Sequence, residues 1–114
     1  HIFLCMLAYY VEWHMREAWR ELTFADTDQP AKATRDPVAP AKRSQAALDK
    51  AARHTLDDGT PVNSFSTLLT ELAGIVRNTC RAPNVVPDAP TFDVTTTPSP
   101  LQQRALELLK QIQL

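Results

Sequence analysis

The chain has 114 residues, of which 44% are hydrophobic and 22% charged, with twelve Lys and Arg against thirteen Asp and Glu. This length allows at most one domain. The formal charge of −1 lacks the basic excess typical of nucleic-acid-binding domains, although a small positive patch could still exist. Two glycines argue against a turn-rich all-β fold. We therefore expect a mainly α protein with three to four helices, long Pro-rich loops and at most one short strand.

The first stretch of the chain is its most apolar. Residues 2–11 are apolar without a break, and polar residues interleave from Glu12 onward. One stripe, with steps of four and three residues, continues throughout: Leu4, Ala8, Val11, Met15, Ala18 and Leu22. That spacing predicts one α-helix, ending near residues 22–24, that starts inside a core and runs out to a surface.

Two other interpretations of this helix fit less well. A membrane-spanning helix needs about 20 predominantly apolar residues, but charges are present from Glu12 onward. A signal peptide would show a basic start and a small-residue cleavage site, which the sequence lacks. A buried core helix is preferred over a clipped membrane or signal segment and over a free amphipathic helix.

Burial of this helix demands a large contact surface. Six large side chains in residues 2–11, at about 1.5–3 kcal/mol each, imply on the order of 10 kcal/mol of burial. We do not expect a chain of this length to supply all of that surface. Because the first residue is His1 and not Met, we expect the chain to begin inside a longer one.

Residues 25–43 are predicted to form a surface linker. Pro30, Pro37 and Pro40 break helices and push their preceding residues toward extended conformations. The predicted organisation is thus a core helix over residues 1–24, followed by a helical tail over residues 25–114 that begins with this linker.

Three more helices and one strand are predicted in the tail. Ser44 can cap a short Ala-rich helix that reaches about residue 54. Ser64 or Ser66 can cap a third helix, which continues through Gly74 to Cys80. Residues 92–96 alternate well enough for one strand, for which the sequence shows no pairing partner.

The last predicted helix has the strongest local signal. Ser99 is placed to cap it, Pro100 occupies its first position, and Gln102 completes a capping box. This helix is expected to pack on the first and third helices.

No residue pattern predicts a catalytic or metal site. The acidic pairs at residues 26–28 and 57–58 are expected to be solvated turns rather than cation sites. His1 and Cys5 lie four residues apart, but no second pair completes a zinc set. Cys5 and Cys80 fall in apolar helical stripes and are predicted to be buried in a protein of the reducing cytoplasm. We assign no catalytic residue, metal ligand or cofactor within this chain.

Four basic residues are candidate DNA contacts. Arg16 and Arg20 lie one helical turn apart, and Lys42 is followed directly by Arg43. Either pair could contact phosphates. The alternative is that these are surface charges balanced by neighbouring glutamates.

Four phrases of the sequence carry a resemblance to a known family. They are HIFLCMLAYYVEWHM (1–15), RDPVAPAKRS (35–44), PVNSFSTLL (61–69) with Leu72, and PLQQRALELL (100–109). In this order they resemble the carboxyl-terminal region of bacterial insertion-sequence transposases of the DDE type, in the subgroup whose RNase H-like catalytic domain carries a β-rich insertion.

The resemblance implies a C-terminal fragment of an RNase H-like α/β domain. Such enzymes cleave DNA and transfer strands at insertion-sequence ends, using two Asp and one Glu that hold two Mg²⁺ ions. Their Glu lies in a Tyr-x2-Arg-x3-Glu-x6-Lys pattern upstream of the phrase that starts at His1. The chain lacks this pattern, since Glu12 and not Arg stands three residues after Tyr9. The resemblance therefore implies a fragment that is inactive alone.

The resemblance also implies partners. These are transposon-end DNA, bound through the intact parent enzyme, the missing amino-terminal part of the same protein, and a further copy in a homo-oligomer. No membrane partner is expected. Two alternatives stay open: a stand-alone helical DNA-binding or regulatory module, and a helical protein that dimerises through residues 2–11.

Overall fold

The computed structural model describes residues 1–83 and 86–113. Within them lie five helices and one two-stranded sheet, and the chain is 46% helical. The elements are α1 (Ile2–Ala18), α2 (Gln29–Ala33), α3 (Gln45–Arg53), α4 (Phe65–Ala73), β1 (Arg77–Cys80), β2 (Phe92–Thr95) and α5 (Pro100–Lys110). The expectation of an α-dominant chain is confirmed, whereas the limits of four helices and one strand are wrong.

Three helices begin where their serines predict. The side chains of Ser44, Ser64 and Ser99 each accept a hydrogen bond from the backbone amide three residues later. At α5 the capping box is complete, because the Ser99 amide also donates to Oε1 of Gln102 at 2.8 Å. These local signals fix the starts of α3, α4 and α5.

The predicted third helix is wrong beyond residue 73. Gly74 ends α4 as its C-cap: the Gly74 amide donates to the Glu71 carbonyl at 3.2 Å, and the Ile75 amide donates to the Leu72 carbonyl at 3.0 Å. The β-branched pair that follows, Ile75 and Val76, favours extended backbone. The chain then enters β1, so Cys80 lies half-buried in a strand and not in a helical core stripe.

The strand predicted at residues 92–96 has a partner. β1 and β2 pair antiparallel, with Arg77 opposite Thr95 and Cys80 opposite Phe92. The Thr96 amide extends the ladder by donating to the Val76 carbonyl at 2.9 Å. The sequence does not predict this pairing, because its pattern places the residues of β1 at the end of the third helix.

Two elements differ from prediction near residue 25. α1 ends at Ala18, and a tight turn follows in which the Leu22 amide donates to the Trp19 carbonyl at 3.0 Å. The predicted linker contains the short helix α2, capped by Asp28. Pro30 is tolerated there because the first turn of a helix has no use for its missing N–H.

The core is small and gathers around Trp19. Trp19, Leu22, Leu68 and Ala105 are fully buried. The Trp19 indole donates to the Ala105 carbonyl at 2.9 Å, which joins the end of α1 to α5. The expected packing of the last helix on the first and on the helix begun by Ser64 is confirmed.

Candidate functional site

Residues 2–13 of α1 form an apolar arm that the rest of the chain leaves exposed. α1 contains no buried residue, and exposure reaches 77% at Ile2, 76% at Phe3 and 71% at Tyr9. Ten consecutive apolar residues span almost three helical turns, so the arm is apolar around its whole circumference. The expectation that this end of α1 lies inside a core is therefore not met by the described residues.

The arm carries two side chains singled out in the sequence. Cys5 is exposed and free, which corrects its prediction as a core residue. Its Sγ lies 3.8 Å from Nε2 of His1. In the described residues no helix is long and apolar enough to cross a membrane.

Residues 26–44 form a closed loop whose two ends are joined by hydrogen bonds. Oδ2 of Asp26 accepts from the Ser44 amide at 2.8 Å, and Oδ1 accepts from the Ser44 hydroxyl at 2.8 Å. The Asp28 amide also donates to Asp26, at 3.0 Å. These hydrogen bonds, led by the one from the Ser44 backbone, lower the pKa of Asp26 to about 2. The predicted linker is thus a surface loop whose two ends meet.

Buried polar contacts support the base of the closed loop. The Lys50 ammonium is nearly buried and donates to the carbonyls of Ala25 at 2.9 Å and Arg20 at 3.3 Å. Burial is the main cause that lowers the pKa of Lys50. The Arg20 guanidinium donates to the Asp26 carbonyl at 2.9 Å. The loop is therefore attached to α3 and to the turn that follows α1.

The structure separates the four predicted DNA contacts into two pairs. Arg16 forms an ion pair with Glu12 at 2.7 Å and lies 4.1 Å above the ring of Phe65. Arg20 pairs with Glu17 and is largely covered. When its amide oxygen faces the guanidinium, Gln29 also accepts from Arg20 at 2.8–3.1 Å. Arg16 in α1 and Arg20 in the turn that follows it thus both have partners within the protein.

Lys42 and Arg43 lie on the closed loop and share a groove with two further cations. The groove has a volume of about 710 Å³, and Lys32, Arg35, Lys42 and Arg43 all line it. No ion pair involves these four residues within the described part of the chain. Sequence reasoning missed Lys32 and Arg35, because only closure of the loop brings α2 beside residues 42–43. The available signal was the number of basic residues among three prolines.

The acidic pairs have partners within the protein. Asp28 accepts from the Ala31 amide at 3.2 Å as the cap of α2. Asp58 accepts from the Thr60 amide at 2.9 Å and pairs with Arg104 at 2.7 Å. Across residues 1–83 and 86–113, no three His, Cys, Asp or Glu side chains are grouped so that they could hold a metal ion.

Comparison with protein-family models, with curated proteins and with solved structures finds no match for this chain. No relative thus supplies a fold name or a set of site residues. What bears on function is the pair of surfaces described above, the apolar arm and the closed loop, together with the four phrases of the sequence.

Proposed function

We propose that this chain is the carboxyl-terminal part of a DDE transposase. The observation that carries the proposal is the apolar arm, a helix apolar on every side that its own folded body leaves exposed. A helix of this kind belongs in the interior of a larger protein. In the proposed parent, residues 1–24 end the RNase H-like catalytic domain, and residues 25–114 form its helical tail.

The apolar arm favours an α/β core over a helical dimer. Its large side chains represent on the order of 10 kcal/mol of burial, at about 1.5–3 kcal/mol each. A second copy of the same helix would cover one stripe of each arm and leave the opposite side in water. A sheet on one side and a neighbouring element on the other would cover both. The phrase at residues 1–15 resembles the helix that has this position in the transposases.

The proposed parent enzyme cleaves DNA and transfers strands at insertion-sequence ends, in the cytoplasm of a bacterium. Its Mg²⁺ ions would be held by carboxylates outside this sequence, because the described residues offer no suitable cluster. This chain would support the catalytic sheet through the arm and approach transposon-end DNA through the tail. Alone it would have no nuclease activity.

One observation favours a second candidate, a stand-alone DNA-binding module. The four cations of the closed loop have no ion-pair partner in the described residues. A body that needs no further domain would, however, have no reason to carry an exposed apolar arm. The overall charge of −1 also counts against it.

The upstream coding sequence provides the direct test. The DNA immediately before the His1 codon is sequenced and translated in frame. We expect an open frame with two Asp residues and the Tyr-Arg-Glu-Lys helix just before His1. An unrelated upstream domain would contradict the proposal and favour the binding module.

A biochemical test addresses the inactivity of the chain alone. The 114-residue chain is incubated with Mg²⁺ and duplex ends that carry an insertion-sequence terminal repeat, and products are separated on a denaturing gel. We expect no cleavage. Robust cutting would show that the catalytic carboxylates lie within this sequence, and the proposal would fail.

A further inference from the structure

We propose that the closed loop is a binding surface for the phosphate backbone of duplex DNA, with Lys32, Arg35, Lys42 and Arg43 as its contacts. The inference deepens the proposed function but draws its evidence from the loop alone. It names two residues that the sequence did not suggest. It does not include Arg16 and Arg20, which the sequence did suggest and which have partners within the protein.

The first observation is the distribution of ion pairs. Five arginines outside the closed loop have carboxylate partners in the described residues. These pairs are Arg16–Glu12, Arg20–Glu17, Arg53–Asp57, Arg77–Asp93 and Arg104 with Glu21 and Asp58. Within the same residues the four loop cations form no such pair. In the described residues, four of the cations without a carboxylate partner therefore share one groove.

The second observation is the arrangement of the acidic residues around the groove. Asp26 and Asp28 are the two carboxylates that line it. Asp26 accepts from both Ser44 donors, and Asp28 caps α2. Nearby Asp36 accepts from the Val38 amide at 2.9 Å. These carboxylates hold the loop backbone in place and form no ion pair with the four cations in the described residues. Asp26 still attracts Lys32 through space, but four cations against two lining carboxylates leave the groove positively charged.

The third observation concerns the ligand class. Ala, Pro, Ser and Asp complete the lining of the groove, with no Asn, Gln or aromatic residue. Asn and Gln read base edges, and aromatic rings stack on unpaired bases. Lys and Arg are the main partners of phosphate oxygens, and contacts to phosphates carry no sequence information. The surface therefore fits a run of backbone phosphates, which a duplex supplies.

The closed loop holds its basic residues in one groove before any ligand binds. The hydrogen bonds between Asp26 and Ser44 close the loop during folding, so Lys42 and Arg43 already lie beside α2 before a ligand arrives. Loss of loop freedom on binding lowers affinity, and a preformed loop avoids most of that loss. Weakening the closure should therefore weaken binding even where every cation is kept.

The test measures binding of the full 114-residue chain to a 20-base-pair duplex of arbitrary sequence by fluorescence anisotropy. The logarithm of affinity falls with the logarithm of salt concentration, with a slope of about −0.9 per phosphate contact. Four contacts predict a slope of about −3.6 and a loss of about 150-fold between 50 and 200 mM salt. Lys32→Gln or Lys42→Gln should each leave three contacts, with a slope of about −2.7 and a loss of about 40-fold.

Two control variants make the outcome specific to the closed loop. Arg53→Gln removes a cation that is exposed and paired with Asp57, and it should leave the salt slope unchanged. Ser44→Ala removes the hydroxyl that bonds to Asp26 and caps α3 without changing the charge, and it should weaken binding severalfold. Ser64→Ala removes the equivalent cap of α4 and should leave binding unchanged. Circular dichroism confirms that each variant is folded.

Several results would overturn the inference. These are an absence of salt-dependent duplex binding, an equal effect of Arg53→Gln and the loop variants, and equal competition by inorganic phosphate at matched phosphate concentration. Binding to phosphatidylserine vesicles in the absence of duplex binding would also overturn it. The upstream sequence bears on the transposase proposal alone, so the two proposals can fail separately.

Discussion

The two ends of α1 differ in what the chain provides for them. The apolar arm is the more hydrophobic end, yet it contains no buried residue. Trp19 and Leu22, just beyond the other end, are fully buried against α4 and α5. Hydrophobicity alone therefore does not decide burial. A complementary surface must also be within reach, and among the described residues the second end alone has one.

The same contrast holds for polar contacts. The side-chain hydrogen bonds of the arm in the described residues are local, such as Arg16 to Glu12 four residues away. The folded part of the chain outside the arm, here called the body, has contacts between residues that are far apart in the sequence. Arg104 contacts Glu21, Asp58 and Thr60. The body is thus specified by contacts between distant residues, whereas the arm is held as a helix by its backbone and by side-chain contacts within one helical turn.

The largest expected effect tests this difference directly with the two tryptophans. Trp19→Ala should lower the free energy of unfolding by about 3–5 kcal/mol, because it leaves a large cavity and removes the hydrogen bond to the Ala105 carbonyl. Trp13→Ala, at a site 48% exposed, should stay within about 0.5 kcal/mol of the original chain. Urea unfolding followed by circular dichroism measures both.

A milder variant keeps this comparison measurable if Trp19→Ala does not fold. Trp19→Phe keeps most of the ring but loses the indole N–H, and should cost about 1–3 kcal/mol. Equal losses at Trp13 and Trp19 would show that the arm is packed on the body, and the distinction between the two regions would be wrong.

A smaller effect is expected from the polar contacts of the body. Arg104→Gln should cost about 1–2 kcal/mol, because one guanidinium joins α5 to both Glu21 and Asp58. Arg53→Gln breaks a single pair with Asp57, whose side chain is 92% exposed, and should cost about 0.5 kcal/mol or less. Urea unfolding at low salt and at 1 M salt compares them, and the difference should shrink as salt screens the charges. Identical losses would mean that Arg104 acts as an ordinary surface charge.

Local features of the fold could be predicted from the sequence, and long-range ones could not. The serine caps and the capping box of α5 depend on residues within one helical turn, and they were confirmed. The Trp19 hydrogen bond, in contrast, joins residues 86 positions apart. The pairing of β1 with β2 was likewise missed, because the sequence pattern places residues 77–80 at the end of a helix.

The candidate sites divide in the same way. Lys42 and Arg43 were identified because they are adjacent basic residues in the sequence. Their grouping with Lys32 and Arg35 depends on contacts between Asp26 and Ser44, which are 18 residues apart. The spacing of residues along the sequence does not predict that the two ends of the loop meet. The exposure of the arm could not be foreseen either, because its predicted burial depends on a surface that the described residues do not contain.

The two glycines provide a smaller test within the body. Gly59 has φ of +83°, so Gly59→Ala should cost about 1 kcal/mol although the space around it is open. Gly74 has a right-handed helical backbone, and an added Cβ would lie 3.3 Å from the Glu71 carbonyl oxygen. Gly74→Ala should therefore change stability by about 0.5 kcal/mol or less, since the tight contact offsets the gain from a stiffer unfolded chain. Urea unfolding of the two variants measures the difference. A larger cost at Gly74 than at Gly59 would mean that the approach of α5 to Gly74 is closer than the structure shows.

The smallest expected effect on stability concerns the closed loop and occurs only at acidic pH. The pKa of Asp26 is lowered from 3.8 to about 2, so its ionised form stabilises the folded state at pH values above about 4. That contribution should be lost as pH falls from about 4 to about 2, when the carboxylate is protonated and can no longer accept from both Ser44 donors. Asp58, whose pKa is also about 2, loses its contribution over the same range.

The two carboxylates can be separated by one substitution. Ser44→Ala removes a side-chain donor to Asp26 and none to Asp58, so NMR titration of the carboxyl carbons should show only the Asp26 midpoint rising toward 3.8. The remaining backbone donors to Asp26 should keep the rise partial. If both midpoints rose together, the low values would report the stability of the whole body. A rise at Asp26 alone would show that contacts within the loop close it. The loop would then resemble the body, which its own contacts also hold together, and would differ from the arm.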